Sequence, residues 1–141
     1  MNKKAIIIML ASAAIAASAV ILHDSAKSPV PESDYVSAST VSERVTYFAL
    51  HGWDVEEICS KTVAIPDDFS AAYEEYALLQ DKQGMPLREY AGEDAQLYVY
   101  EVKNYSPDSR KLLAELLVCD DTAVASMIYS EDGGRLRLAV N

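Results

Sequence analysis

The sequence predicts an α+β fold, in which two helices pack on one face of an antiparallel meander sheet of about four strands. Between residues 40 and 83 apolar residues recur with helical spacing, which favours two amphipathic helices. From Asp94 onward the period changes to two, which is typical of half-buried strands. The turns between these strands are too short for parallel connections, so neighbouring strands are expected to run antiparallel.

The chain divides into three parts. Residues 1–23 are predicted to form a single N-terminal signal-anchor or transmembrane helix, residues 24–39 a linker, and residues 40–141 an extracytoplasmic α+β domain. The linker is rich in Ser, Pro and acidic residues and has few large apolar side chains, which favours an extended, solvated segment. A domain of about 100 residues can bury a modest core.

Ala5–Leu22 is an uninterrupted run of 18 residues without a charge, Pro or Gly. As a helix it would be about 27 Å long, close to the thickness of a bilayer core. Lys3 and Lys4 precede the run and acidic residues follow it, so the N-terminus is expected in the cytoplasm and the domain outside the membrane. Cleavage as a signal peptide at Ala17-Ser18-Ala19 is the alternative, and it would secrete the domain.

Charge is distributed unevenly along the chain. All 22 acidic residues but only 10 of the 12 Lys and Arg lie from Asp24 onward. Such an acidic surface repels nucleic-acid phosphates, and no basic stripe offsets it. The sequence therefore excludes nucleic acid as a partner.

The first helix is predicted from its two ends. Thr40-Val41-Ser42-Glu43 has the form of a capping box, in which a side-chain acceptor is followed by an acid three residues later. Val41, Val45 and Phe48 follow on one helical face. Gly52 can adopt the left-handed conformation that ends a helix. A short extended piece at Lys61–Ile65 comes next.

The second helix has acids at its positive end, Asp67 and Asp68, and Lys82 at its negative end. Its apolar stripe contains Phe69, Ala72, Tyr73, Tyr76, Leu79 and Gln80. Gly84 and Pro86 are expected to terminate it. Residues 85–92 are predicted to form a loop with a single helical turn at Leu87–Tyr90.

Four strands are predicted after that loop. On the first, Tyr98, Tyr100 and Val102 share one face. The others are Lys111–Cys119, Thr122–Ser130 and Arg135–Val140, and Asp120-Asp121 is expected to form a tight hairpin turn.

Residues that carry chemistry are few. Outside the cytoplasm Cys59 and Cys119 could form a disulfide, but the spacing does not establish that their Cα atoms approach within about 7 Å, and two small buried residues are the alternative. The histidines, His23 and His51, do not supply short metal-ligand spacing, so no metal or cofactor is predicted. A pair of Cys59 with His51, or a group of scattered acids, is the alternative that would make the domain an exported hydrolase.

The chain has nine tyrosines, which can pack in a core or contact a partner. Four of them lie on predicted apolar faces and are expected in the core: Tyr73, Tyr76, Tyr98 and Tyr100. Five residues are predicted as contacts with a partner or ligand: Gln80, Gln83, Tyr90, Asn104 and Tyr105. Their residue types suit hydrogen bonding and aromatic contact with an envelope protein or a small ligand.

One set of residues resembles a known family. It comprises Ile65-Pro66, Phe69, Tyr73, Tyr76, Gln80 and Gly84, then Tyr90-x-Gly92, Tyr98-x-Tyr100-x-Val102-x-Asn104-Tyr105 and Leu116-Leu117-Val118. This pattern resembles the domain of unknown function 4830 family, found in membrane-anchored or exported proteins of Firmicutes. The family often has Gly-Gly-Asp where this chain has Ala125-Ser126-Met127, so a site built on those residues would be altered here. The resemblance implies export and a similar fold, and no activity.

The sequence therefore predicts a membrane-tethered extracytoplasmic domain that is not an enzyme. Its expected role is binding, sensing or an accessory function in the cell envelope, and its expected partners are the membrane, an envelope protein or a small ligand.

Overall fold

The computed structural model describes residues 35–141. The predicted membrane helix at Ala5–Leu22 and most of the predicted linker lie outside the described residues. Among the residues that are described, no helix is both long enough and apolar enough to span a bilayer.

The described chain forms two α-helices, two short 3₁₀ turns and six strands. In chain order they are β1 (Val36–Ser37), α1 (Val41–Leu50), β2 (Val55–Ala64), α2 (Ala71–Lys82), a 3₁₀ turn (Leu87–Tyr90), β3 (Asp94–Val102), a second 3₁₀ turn (Pro107–Ser109), β4 (Leu112–Cys119), β5 (Thr122–Ser130) and β6 (Arg137–Leu138). The folded unit thus begins before Thr40, the predicted start of the domain.

The strands form one antiparallel sheet in the order β1-β5-β4-β3-β2, and β6 also pairs with β5. The hairpin between β4 and β5 turns at Asp120 and Asp121, which both have the positive φ that a tight two-residue turn requires. The α+β class is confirmed.

Two strand predictions have the wrong extent. The extended piece predicted at Lys61–Ile65 is the end of a ten-residue strand, β2, which lies between the two helices in the chain. It was missed because its residues from Glu56 to Thr62 are exposed on both faces and show no apolar alternation. The strand predicted at Arg135–Val140 is reduced to the two residues of β6.

Helix α1 begins as predicted, with a complete capping box. The Thr40 side chain accepts a hydrogen bond from the Glu43 amide, and the Glu43 carboxylate accepts one from the Thr40 amide. Helix α2 begins at Ala71 behind the cap residue Ser70, later than its acidic residues suggest. Gly84 has a positive φ of 70° directly after this helix, as predicted.

The two helices pack on opposite faces of the sheet, and the prediction that they share one face is wrong. Alternate residues of a strand point to opposite faces. On β4, Leu112, Ala114, Leu116 and Val118 belong to the same apolar cluster as Tyr47 and Phe48 of α1. Leu117 and Cys119 belong instead to a cluster with Ala77 of α2. The domain therefore has three layers, and β4 is apolar on both faces because both are covered.

The α1 layer is held by aromatic contacts. The Phe48 and Tyr100 rings lie 5.0 Å apart, and both side chains are fully buried. The Arg44 guanidinium stacks on the Tyr98 ring at 3.8 Å from its centroid. Burial of a side chain as large as Phe48 contributes about 2 kcal/mol or more to stability.

The outer edge of β5 is closed by three separate elements. β1 pairs with Thr122 and Ala123 at one end, and β6 pairs with Ile128 and Tyr129 at the other. Between them two glutamines of the α2 segment bind the backbone of Ser126. The amide of Ser126 donates to Gln80 Oε1 at 2.8 Å, and its carbonyl accepts from Gln80 Nε2 and Gln83 Nε2, both at 2.9 Å. The Gln80 side chain thus makes both hydrogen bonds that a paired strand would make at this position.

Candidate functional site

Three of the five predicted contact residues lie in the interior. Gln80, Gln83 and Tyr90 are 0%, 8% and 5% exposed. Gln80 and Gln83 are bound to Ser126, and Gln83 Oε1 also accepts from the Val140 amide at 2.6 Å. Their hydrogen-bonding groups are thus used within the fold.

The other two lie at the surface. Asn104 connects two turns, since its Oδ1 accepts from the Asp54 amide at 3.0 Å and its Nδ2 donates to the Gly52 carbonyl at 2.8 Å. Tyr105 is half exposed and contacts Trp53 edge-on, with ring centroids 6.1 Å apart. A contact role for these residues stays a prediction.

The two cysteines lie far apart in the sheet. Cys59 is exposed on β2 and is opposite Val99, which is in turn opposite Glu115 of β4. Cys119 is buried at the far end of β4, and its thiol donates to the Asp94 carbonyl at 3.5 Å. Within residues 35–141 no disulfide joins them, because a whole strand and several residues of β4 separate the two side chains.

Cys59 and His51 lie on different sides of the sheet. His51 caps the end of α1, and its ring contacts that of Tyr47 with a centroid distance of 5.2 Å. The Cys59 side chain is on the α2 face, with Val99 and Glu115. The structure does not bring these two residues together.

The structure does bring together a cluster that the sequence did not predict. It consists of Glu115 and three tyrosines, and is called the Glu115 cluster below: Tyr73, Tyr76, Glu115 and Tyr129. Glu115 lies in the middle of β4 on the α2 face, between Val99 of β3 and Met127 of β5. Tyr129 is on the same face, opposite Leu113.

Helix α2 supplies the other two members of the cluster. The rings of Phe69, Tyr73 and Tyr76 form a ladder, with centroid distances of 4.7 Å and 5.5 Å between successive rings. The N-cap bond from the Tyr73 amide to Ser70 Oγ fixes the start of this helix. A rigid helix therefore holds the aromatic side of the cluster against the sheet.

Burial governs the electrostatics of the cluster. It raises the pKa of the Glu115 carboxyl above that of an exposed glutamate, while the Tyr76 hydroxyl, Arg137 and Lys61 act in the opposite direction. Burial also raises the pKa of each of the three tyrosine hydroxyls, and the negative charge of Glu115 adds to the effect. The tyrosines thus remain neutral hydrogen-bond donors at any physiological pH.

The hydroxyl of Tyr76 is the most deeply buried of the three tyrosine hydroxyls in the cluster. In the part of the chain that the structure describes, this buried group has no partner with ordinary hydrogen-bond geometry. It is nevertheless close enough to Glu115 to lower the pKa of that carboxyl. A carboxyl group with a neighbouring buried donor and aromatic rings can bind a polar ligand that has an apolar face.

The sequence contained one signal for this cluster. Glu115 is an acid on a strand face that otherwise carries Leu113, Leu117 and Cys119. An acidic residue at such a position is partly buried, and its pKa is perturbed. The signal could not be interpreted because both helices were expected on one face of the sheet, which left the opposite face without a covering element.

No group of three or more His, Cys, Asp or Glu side chains within residues 35–141 is arranged to hold a metal ion. Comparison with known proteins finds no family model, no curated protein and no solved structure that matches this chain. The resemblance to the domain of unknown function 4830 family therefore stays a prediction. Ser126, one of the three residues on which the predicted resemblance departs from that family, is the residue that Gln80 and Gln83 bind.

Replacing Glu115 by glutamine should change how stability depends on pH. Since the pKa of Glu115 is raised in the folded state, the folded chain binds its proton more tightly than the unfolded chain. The contribution of Glu115 to the free energy of unfolding is fully present below the pKa of the unfolded chain, about 4.3. It is lost as the pH rises through the higher pKa of the folded chain. The free energy of unfolding of Glu115→Gln relative to wild type should therefore increase from about pH 4 to pH 7.

Urea unfolding of the full-length chain in a mild detergent, repeated across this pH range, measures the difference. Glu75→Gln, an exposed change on α2, shows what the loss of one negative charge does by itself. If the two variants follow the same pH dependence, Glu115 is not held in a desolvated environment.

Proposed function

We propose that this chain is a membrane-tethered, extracytoplasmic binding module of the cell envelope, with a sensing or accessory role and no catalysis. The observation that carries the proposal is the Glu115 cluster. It combines aromatic faces, neutral hydroxyl donors and one carboxyl on a half-covered sheet face. Helix α2 covers the end of that face near Ala95 and Cys119, whereas Val99, Leu113 and Tyr129 nearer the other end remain partly exposed.

The chemistry of this cluster suits a small polar ligand or a peptide segment. Tyrosine joins a rigid apolar ring to a polar tip and loses little conformational entropy when it binds. Glu115 can accept hydrogen bonds when ionised and donate one when protonated. Lys61 and Arg137 lie close enough to Glu115 to lower its pKa, and so add cationic groups at the margin.

The tether rests on the sequence of residues 1–23. Ala5–Leu22 is long and neutral enough to span a bilayer, and Lys3 and Lys4 favour retention of the N-terminus on the inner side. The acidic domain would then face outward, where it is not drawn to anionic headgroups. Secretion after cleavage at Ala17-Ser18-Ala19 would give the same location to the domain without the tether.

An exported hydrolase is the second candidate, and the raised pKa of Glu115 is the observation that favours it. A partly buried carboxyl that keeps its proton to a higher pH can act as a general acid. In this candidate Glu115 is the acid and a ligand of the cluster is the substrate.

The location can be tested with a membrane-impermeant maleimide on intact cells. Cys59 is exposed on β2 and Cys119 is buried, so the folded chain on cells treated with the impermeant reductant tris(2-carboxyethyl)phosphine should take one label, at Cys59. Labelling should be lost in Cys59→Ser and kept in Cys119→Ser. Labelling of Cys59 only after the cells are lysed would place the domain in the cytoplasm.

Binding can be tested by calorimetric titration of the full-length chain with amino-sugar oligosaccharides and with short peptides. Glu115→Ala and Tyr129→Ala should each weaken binding by about tenfold or more, because they remove central contacts. Leu50→Ala, a largely exposed residue at the end of α1 on the opposite face of the sheet, is the control and should bind as wild type does.

The outcomes separate the two candidates. If the wild-type chain cleaves the oligosaccharides or peptides in these mixtures and Glu115→Gln does not, the hydrolase is the correct candidate and the binding module is not. A wild-type chain that binds neither ligand class, or variants that bind as tightly as wild type, would contradict the proposed site.

A further inference from the structure

Within residues 35–141, strand β2 is an open sheet edge. There it pairs with β3 on one side only, and the side chains of its residues from Glu56 to Thr62 are all exposed. Helix α1 reaches this strand at Val55, which is buried, and at Glu57, whose carboxylate accepts a hydrogen bond from Arg44. The exposed stretch from Glu56 to Thr62 presents unpaired backbone groups that can pair with another strand.

A bulge sets which side chains this edge presents on the α2 face. Glu56 is opposite Glu101, Cys59 is opposite Val99 and Lys61 is opposite Leu97, and the register shifts at Ile58. Because Glu101, Val99 and Leu97 alternate along β3, their three partners lie on one face of β2 at even spacing. The α2 face of this edge thus carries the Glu56 carboxylate, the Cys59 thiol and the Lys61 ammonium group in that order along the strand.

We propose that a second copy of this chain pairs with β2 in antiparallel orientation, about a two-fold axis through Cys59. When the bulged Ile58 is left out of the register in both copies, Glu56 of each copy is opposite Lys61 of the other, and the two Cys59 side chains are opposite one another. The two sheets then form one continuous sheet, with α1 layers on one side and α2 layers on the other. The edge is self-complementary, as an interface between identical copies requires.

The other symmetric registers lack this complementarity. A two-fold axis at Lys61 brings two lysines together, and axes at Glu56 or Glu57 bring two glutamates together, which is destabilising. An axis at Ser60 places Lys61 opposite Cys59 and leaves Glu56 without a cation. Charge therefore selects the axis at Cys59.

Both charges are poorly satisfied within one copy. Glu56 lies opposite another acid, Glu101, and its ion pair with Lys103 is long, at 4.0 Å, because that lysine is bound to Glu101 at 2.8 Å. Within residues 35–141 no ion pair holds Lys61, which lies near Glu115 without bonding to it. A second copy supplies the missing partner to each.

Cross-linking tests the register directly. Opposite residues in antiparallel strands have Cα atoms about 4.5–5.5 Å apart, within the range that a disulfide spans. With oxidised glutathione, the two thiols give up two protons and two electrons, the glutathione disulfide is reduced to two thiols, and a Cys59–Cys59 bond forms. The full-length chain in detergent at about 0.15 M salt, which screens the repulsion between acidic copies, should give a cross-linked dimer on a non-reducing gel.

The cysteine variants identify the bond. The dimer should persist in Cys119→Ser and disappear in Cys59→Ser. Sedimentation of Cys59→Ser should still show a reversible dimer, since pairing of the strands does not need the disulfide. A monomer at every concentration, or cross-linking that depends on Cys119, would overturn the proposal.

A charge exchange tests the pairing of Glu56 with Lys61. Glu56→Lys and Lys61→Glu should each lower the rate of cross-linking about tenfold, because each variant turns two attractive pairs into repulsive ones. The double variant Glu56→Lys/Lys61→Glu should restore the rate. Lys82→Glu, which makes the same charge change on α2, should leave it unchanged. All these side chains are exposed, so the fold is expected to tolerate the changes. A double variant as slow as the single ones would contradict the register.

Discussion

Two glutamines of the α2 segment close the part of the β5 edge that β1 and β6 leave uncovered. Gln80 is fully buried, and its amide group meets both the donor and the acceptor of Ser126. An unpaired backbone group at this depth would cost about 1–3 kcal/mol. Closure of this stretch therefore depends on two side chains, with Gln80 alone accepting from the Ser126 amide, and not on a full neighbouring strand.

The same contact joins all three layers of the domain. Ser126 Oγ lies 2.7 Å from the Tyr47 hydroxyl on α1, while its backbone is held by the α2 segment. Gln83 extends the network to the Val140 amide near the C-terminus. Both helices are thereby hydrogen-bonded to the same residue of β5. The position of α2 then decides how much of the Glu115 face stays exposed, so the edge closure and the candidate site are linked.

Local features of this fold could be predicted from the sequence, and the arrangement of its layers could not. Thr40 with Glu43, Gly84 after α2 and the turn at Asp120-Asp121 each act within a few residues, so their patterns sufficed. β2 escaped detection because an edge strand exposed on both faces has no apolar period.

The buried polar residues were the least predictable. Gln80 and Gln83 were expected at the surface because an amide is costly to bury without partners. Their partners, the backbone groups of Ser126, are supplied by a strand more than 40 residues further along the chain. Glu115 was obscured for the same reason, since its environment is built by α2, and the two helices were expected to share one face of the sheet. In the described part of the chain, the sheet thus has a β5 edge closed by β1, β6 and two glutamines, and a β2 edge that is open.

Hydrogen exchange of the Ser126 amide tests this account most directly. If Gln80 closes the edge, the Ser126 amide exchanges as slowly as the amides in the middle of β4. In Gln80→Met it should exchange about tenfold faster or more, while the Ala114 amide is little affected. Rapid exchange of the Ser126 amide in the wild-type chain would show an open β5 edge and contradict the account.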